Sequence, residues 1–172
     1  MSAPVADRAA QRAVLERFVR ARPAALALDP EAGLLLDVAT GKVLPLDWTR
    51  VAWLSEERDA VTGRPYLRVA LGDGAAFALA DQGIAFAPVA AASGPLPGLP
   101  AAVCLRDLAA AEGRLSHFLL DHPGEPPERG HLDAFLFCLA VVDGARRAGF
   151  DVGPEERRLE RILHELEARR RG

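Results

Sequence analysis

The chain has 172 residues and a mass of 18.4 kDa; half of its residues are hydrophobic, 26% are charged and 6% are aromatic. A chain of this length buries about 70% of its unfolded surface and needs neither disulfide nor metal to fold; its composition excludes a collagen-like repeat, a disulfide scaffold and a wholly disordered tail. A net charge of −3 and a pI near 5.8 give none of the overall basic field that marks a nucleic-acid binder.

Lys42 is the only lysine, asparagine is absent, and alanine occurs 33 times. The bias runs through every segment, so it reads as a bacterial-like, GC-rich composition and not as arginine selected for an anion. Cys104 and Cys138 sit in apolar runs and read as buried free thiols. No apolar segment of leader type follows Met1. The longest apolar run, Ala134 to Val142, is too short to span a bilayer. A cytoplasmic protein without membrane or nucleic-acid partners is therefore expected.

In chain order, the first element is a helix from about Pro4 to Ala21. Val14, Leu15, Phe18 and Val19 lie on one side, with Arg8, Arg12, Glu16 and Arg20 on the other. Pro23 ends it, because the residue before proline avoids the helical region. From about Ala24 the period changes to two. Leu34–Val38 and Val43–Leu46 flank a Thr-Gly turn; Val51–Ser55 and Tyr66–Leu71 flank another. Asp73-Gly74 then turns the chain into Phe77–Ala80, and Gly83 turns it into Ile84–Ala87. Phe77, Leu79, Ile84 and Phe86 are expected to face a core, with Ala76, Ala78, Ala85 and Ala87 on the opposite face. Trp53 is expected to pack in the sheet. Successive hairpins without helical crossovers predict an antiparallel meander of about six strands, open or closed into a half-open barrel.

Gly94, Pro95, Pro97, Gly98 and Pro100 mark an extended arm. Beyond it the period is helical to the end. Cys104, Leu108, Ala111, Leu115, Phe118 and Leu119 form one stripe, stopped by His122-Pro123-Gly124. A second helix is expected from Pro127 to Arg147, buried on all sides because Ala134–Val142 is apolar throughout. Gly149 caps it. The last begins at Pro154, with acids in its first turn and arginines in its last, burying Leu159, Ile162, Leu163 and Leu166. The class is α+β. Residues 1–89 form a helix-plus-sheet unit, 90–100 an arm and 101–172 a three-helix unit, sharing a core as one compact domain.

The densest polar constellation is His117, Asp121, His122, His131 and Asp133 around the loop between the first two C-terminal helices. Convergence of three or four such groups would suit a metal or acid–base chemistry. Their spacing matches no metal motif, and each has an ordinary role as a turn, surface or first-turn residue. Ser116 cannot reach His117, since adjacent helical residues point about 100° apart. Gly41-Lys42 lacks the spacing and the hydroxyl residue of a phosphate loop. Trp48 is a candidate partner anchor, though core-edge packing is the commoner fate of a tryptophan. Arg146 and Arg147 are candidate contact residues at a helix C-terminus, where they also complement the dipole. No catalytic residue and no cofactor is expected. The expected function is a non-enzymatic protein-interaction, regulatory or assembly module, acting on a partner protein or by homodimerisation. The alternatives are an enzyme using the His/Asp cluster and a small-ligand sensor with a pocket between sheet and helices.

Overall fold

The computed structural model describes residues 5–60, 62–86 and 103–172. Helix α1 is Val5–Arg20. Strands β1 (Leu26–Asp29), β2 (Leu34–Asp37) and β3 (Val43–Pro45) form a three-stranded antiparallel sheet in that order. Strands β4 (Val51–Arg58), β5 (Pro65–Leu71), β6 (Ala76–Ala80) and β7 (Gly83–Phe86) form a second antiparallel sheet. The two-residue β8 (Val103–Cys104) extends it along β7. Helices α2 (Leu105–Asp121), α3 (Arg129–Ala148) and α4 (Gly153–Arg171) follow. The protein is thus α+β, with an N-terminal helix, antiparallel sheets and three C-terminal helices.

Two features of the meander differ from expectation. It is split into two sheets, and seven strands precede residue 87 in place of about six. The added strand is β1, whose Leu26-Ala27-Leu28-Asp29 pairs in register with Asp37 back to Leu34. The later hairpins fall where their turns were expected; the β1–β2 hairpin, which turns at Gly33, was not among them. Gly33, Gly41, Gly63, Gly74 and Gly83 all adopt positive φ, the region that only glycine enters cheaply. The arm expected at 90–100, Ala87 and the side chain of Cys104 lie outside the described residues.

One hydrophobic core joins the sheets to the helices. It takes Leu15, Phe18 and Val19 from α1, Leu35 and Leu44 from the first sheet, and Phe77, Leu79, Ile84 and Phe86 from the second. The helices add Leu108 and Leu115 from α2, Cys138, Val141 and Ala145 from α3, and Leu159, Ile162 and Leu166 from α4. Close approach of α3 to the second sheet needs Gly144, where a Cβ would stand 3.3 Å from Cβ of Phe86. Ala78 and Ala85, on the opposite face of the strands, are buried as well.

Helix α3 is not buried on all sides. Leu136, Phe137 and Leu139 are exposed, Leu136 by 61%. An apolar run longer than one helical turn necessarily points side chains away from whatever single layer the helix rests on. Leu163 of α4, expected to be buried, is 38% exposed. The helix also starts two residues later than expected, after Pro127 and an extended Glu128. Its end is as expected: Gly149 is left-handed, and the Phe150 amide donates to the carbonyl of Ala145. Trp53 is 37% exposed, on the outer side of β4, with the Arg68 guanidinium 5.9 Å from its ring.

The two sheets are joined by one carboxylate. Asp37, fully buried at the end of β2, accepts from the amide and hydroxyl of Thr40 through Oδ1 (3.0 and 2.9 Å). Its Oδ2 accepts from the amide of Ile84 on β7 at 2.9 Å. Gly83 makes room for it: a Cβ there would stand 2.5 Å from Oδ2, on a backbone with φ +115. Hydrogen bonds to a charged group contribute about 1.5–3 kcal/mol each. Asp37→Ala is therefore expected to lose about 3 kcal/mol in urea denaturation, near the upper end of single substitutions. Gly83→Ala should destabilise by a similar amount, because the carboxylate must move. A loss below about 1 kcal/mol in both would show that Asp37 is not the joint.

Candidate functional site

The His/Asp constellation resolves into separate small arrangements. His117 Nε2 lies 2.7 Å from Asp121 Oδ2, one turn along α2, both well exposed. His122 Nδ1 is 3.4 Å from Glu125 Oε2. Asp133 faces Arg129 at 3.9 Å. His131 Nδ1 accepts the amide of Glu128 at 3.2 Å, as part of the start of α3. Among the described residues, no group of three or more His, Cys, Asp or Glu is placed to hold a metal ion.

What gathers these residues is Phe118. Its ring stacks on His131 at 3.8 Å between centroids and on His122 at 5.3 Å, and the Arg169 guanidinium stands 5.7 Å away. Arg169 belongs to the C-terminal arginine cluster, yet its side chain is only 5% exposed. It reaches across to the end of α2, donating Nη1 to the carbonyls of His122 (2.7 Å) and Glu125 (3.3 Å) and Nη2 to that of Leu119 (2.8 Å). Its Nε pairs with Glu165 at 3.0 Å. The last carbonyls of a helix have no intrahelical donor, and a planar guanidinium can serve several of them at once. The α2–α3 corner is thus closed by an arginine of α4.

Trp48 is half-buried against the core with Arg12 5.2 Å from its ring, so of the two tryptophans Trp53 is the more exposed. Arg146 and Arg147 both lean on Asp143, at 2.6 and 3.1 Å. Arg146, but not Arg147, lines a groove between α3 and α4 whose floor is Phe135, Leu139, Val142, Leu159 and Leu163. Asp143 and Arg146 rim it on α3; Glu156 and Glu160 rim it on α4. The exposed Leu136 and Leu139 sit on the α3 side, and the exposed Leu163 on the α4 side. This is the apolar surface that α3, covered on one side only, leaves in view.

Sequence reasoning passes over a second site entirely. Lys42 Nζ, on the β2–β3 turn, pairs with Glu155 Oε1 at 2.5 Å and donates to the carbonyl of Asp151 at 3.0 Å. Arg158 Nε pairs with Glu112 Oε2 at 2.8 Å, and its Nη2 lies 3.7 Å from Glu155 Oε1. Both carboxylates are 8% exposed. Two signals were available. Lys42 is the only lysine, and Glu112 interrupts the apolar stripe of α2 four residues after Leu108 and three before Leu115. Burial raises the pKa of the nearby Cys138 thiol to about 11, and the charge of Glu112 adds to the rise.

No helix among the described residues is long and apolar enough to cross a membrane. Comparison of the chain with known protein families, curated proteins and solved structures finds no match.

Two outcomes follow for this region. Arg169→Ala removes the donor to the part-buried carbonyls of Leu119, His122 and Glu125 and should lower stability by about 2 kcal/mol, with Arg169→Lys intermediate because an ammonium lacks the fork. Equal denaturation midpoints for wild type and Arg169→Ala would refute that closure. Cys138, buried and protonated, should resist iodoacetamide at about pH 8 in the folded protein and react in denaturing urea. Peptide mapping by mass spectrometry reads this directly; rapid labelling without urea would contradict the burial.

Proposed function

We propose that this protein is a non-enzymatic interaction module that self-associates through the groove between α3 and α4, as a regulatory or assembly subunit would. The observation that carries the reading is the exposure of Leu136, Leu139 and Leu163 beside that groove. Clustered apolar side chains facing water cost free energy that docking recovers. Amphipathic helices commonly dock by laying such a stripe into a facing groove.

Charge favours a second copy of this chain as the occupant. The α3 rim carries Arg146, paired with Asp143, while Glu156 and Glu160 on the α4 rim form no ion pair among the described residues. A twofold axis along the groove sets the α3 rim of one copy against the α4 rim of the other, so that Arg146 meets the unpaired Glu156 and Glu160 carboxylates twice. A reducing, cytoplasmic setting goes with this reading and is supported by the free, buried thiol of Cys138.

Sedimentation equilibrium tests it. At about 100 µM, which populates even a modest dimer, the wild-type chain should run as a dimer and Leu139→Asp as a folded monomer. Arg146→Glu should weaken the dimer, and adding Glu160→Arg to the same chain should restore it. A wild type that stays monomeric at that concentration, or a Leu139→Asp chain that stays dimeric, would rule out the groove as the interface.

A further inference from the structure

On the other flank of α4, the cluster of Lys42, Glu112, Glu155 and Arg158 lines a cavity of about 410 Å³. The cavity lies between the β2–β3 turn, the first turns of α2 and the start of α4. Leu105, Leu108 and Ala109 give it an apolar wall, and Arg106 stands at its edge. That size falls within the range of small-molecule sites, which combine apolar walls with a few fixed polar groups.

The exposure of the charges is uneven. Glu112 and Glu155 are 8% exposed, whereas the side chains of Lys42, Arg158 and Arg106 are 27%, 44% and 48% exposed. The acids lie behind and hold two of the cations in place; the solvent side of the cavity is cationic. Donors remain to spend there. Lys42 has three N–H groups and uses two, on Glu155 and Asp151. Arg158 makes its hydrogen bond through Nε alone, leaving its outer N–H groups available. Arg106 has only a 3.8 Å contact with the neighbouring Asp107.

The cluster is also costly if it only braces the fold. Glu112 Oε1 and Glu155 Oε2 are buried without a hydrogen-bond partner among the described residues. A buried acceptor left unmade costs about 1–3 kcal/mol, and a buried ion pair at best breaks even against apolar packing.

We propose that this cavity binds a small organic anion. A carboxylate or phosphate monoester group sits against Lys42, Arg106 and Arg158, and the apolar body rests on Leu105, Leu108 and Ala109. The guanidinium forks match either oxyanion with two parallel hydrogen bonds. The positive end of the α2 dipole, whose first turn lines the cavity, adds to the attraction. The site is separate from the α3–α4 groove, since the two share no lining residue.

Titration of the ¹⁵N-labelled full chain with phenyl phosphate and with hexanoate tests the site, with hexylamine as the apolar cation control. Both anions should shift the amides of Thr40, Lys42 and Arg106 to Ala109 saturably, and hexylamine should not. Arg106→Gln removes the one cation outside the salt-bridge network. It should raise the Kd for either anion at least about fivefold, roughly what one charge-assisted contact contributes, at an unchanged urea midpoint. The proposal is overturned if neither anion saturates these amides by about 20 mM, far weaker than a working site. It is equally overturned if hexylamine produces the same shifts, or if Arg106→Gln binds as wild type does.

Discussion

The buried carboxylate of Asp37 is the constraint on which the rest of the molecule is arranged. A split meander has two sheets that share no ladder, and something must fix one against the other. Asp37 does so with one oxygen for each side: Oδ1 folds the β2–β3 turn back on itself, and Oδ2 accepts the amide of Ile84 on β7. Its placement excludes a side chain at position 83. It also sets the direction of the turn that carries Lys42, so the contact between the first sheet and α4 depends on it. A single buried charge is tolerable here because every hydrogen bond offered to it comes from a backbone or hydroxyl donor already fixed in place.

The helical layer is closed on similar terms. Arg169 collects carbonyls at the end of α2, and Lys42 collects the carbonyl of Asp151 before α4. Arg50 donates to the carbonyl of Arg147 at the end of α3 at 3.0 Å. In each case a long cation from a distant element satisfies carbonyls that a helix or its connection cannot satisfy alone. Helix α4 presents two unlike flanks, one charged and the other apolar. That asymmetry separates the two surfaces to which binding roles are assigned above.

Much of the sheet was legible because its turns are written in glycine. Thr-Gly at 40–41 and 62–63 and Asp-Gly at 73–74 required positive φ, and the strands follow from them. Strand β1 was not legible: four residues between Pro23 and Pro30 carry no period that separates a strand from a loop. Helix α3 was placed correctly but its burial was overstated, since an all-apolar run cannot say how many layers cover it. The histidines were grouped because they are close in sequence; closeness in sequence fixed only their contacts with Phe118 and with neighbours three or four residues away. The Lys42 cluster was out of reach for the opposite reason. Its members come from a hairpin turn and two helices far along the chain, and only the fold brings them together. Glu112 alone gave a local sign, an acid on the buried face of α2.

The polar closures carry a kinetic meaning as well. The contact of Asp37 with Ile84 and that of Arg169 with His122 each span 47 residues, and that of Lys42 with Asp151 spans 109. The hairpins, by contrast, close over a few residues, and loop-closure entropy makes such local contacts form first. Joining the two sheets and seating the last helix therefore carry a larger loop-closure cost than pairing the strands within each sheet. That cost falls where three charged side chains also give up water to reach partners across the molecule.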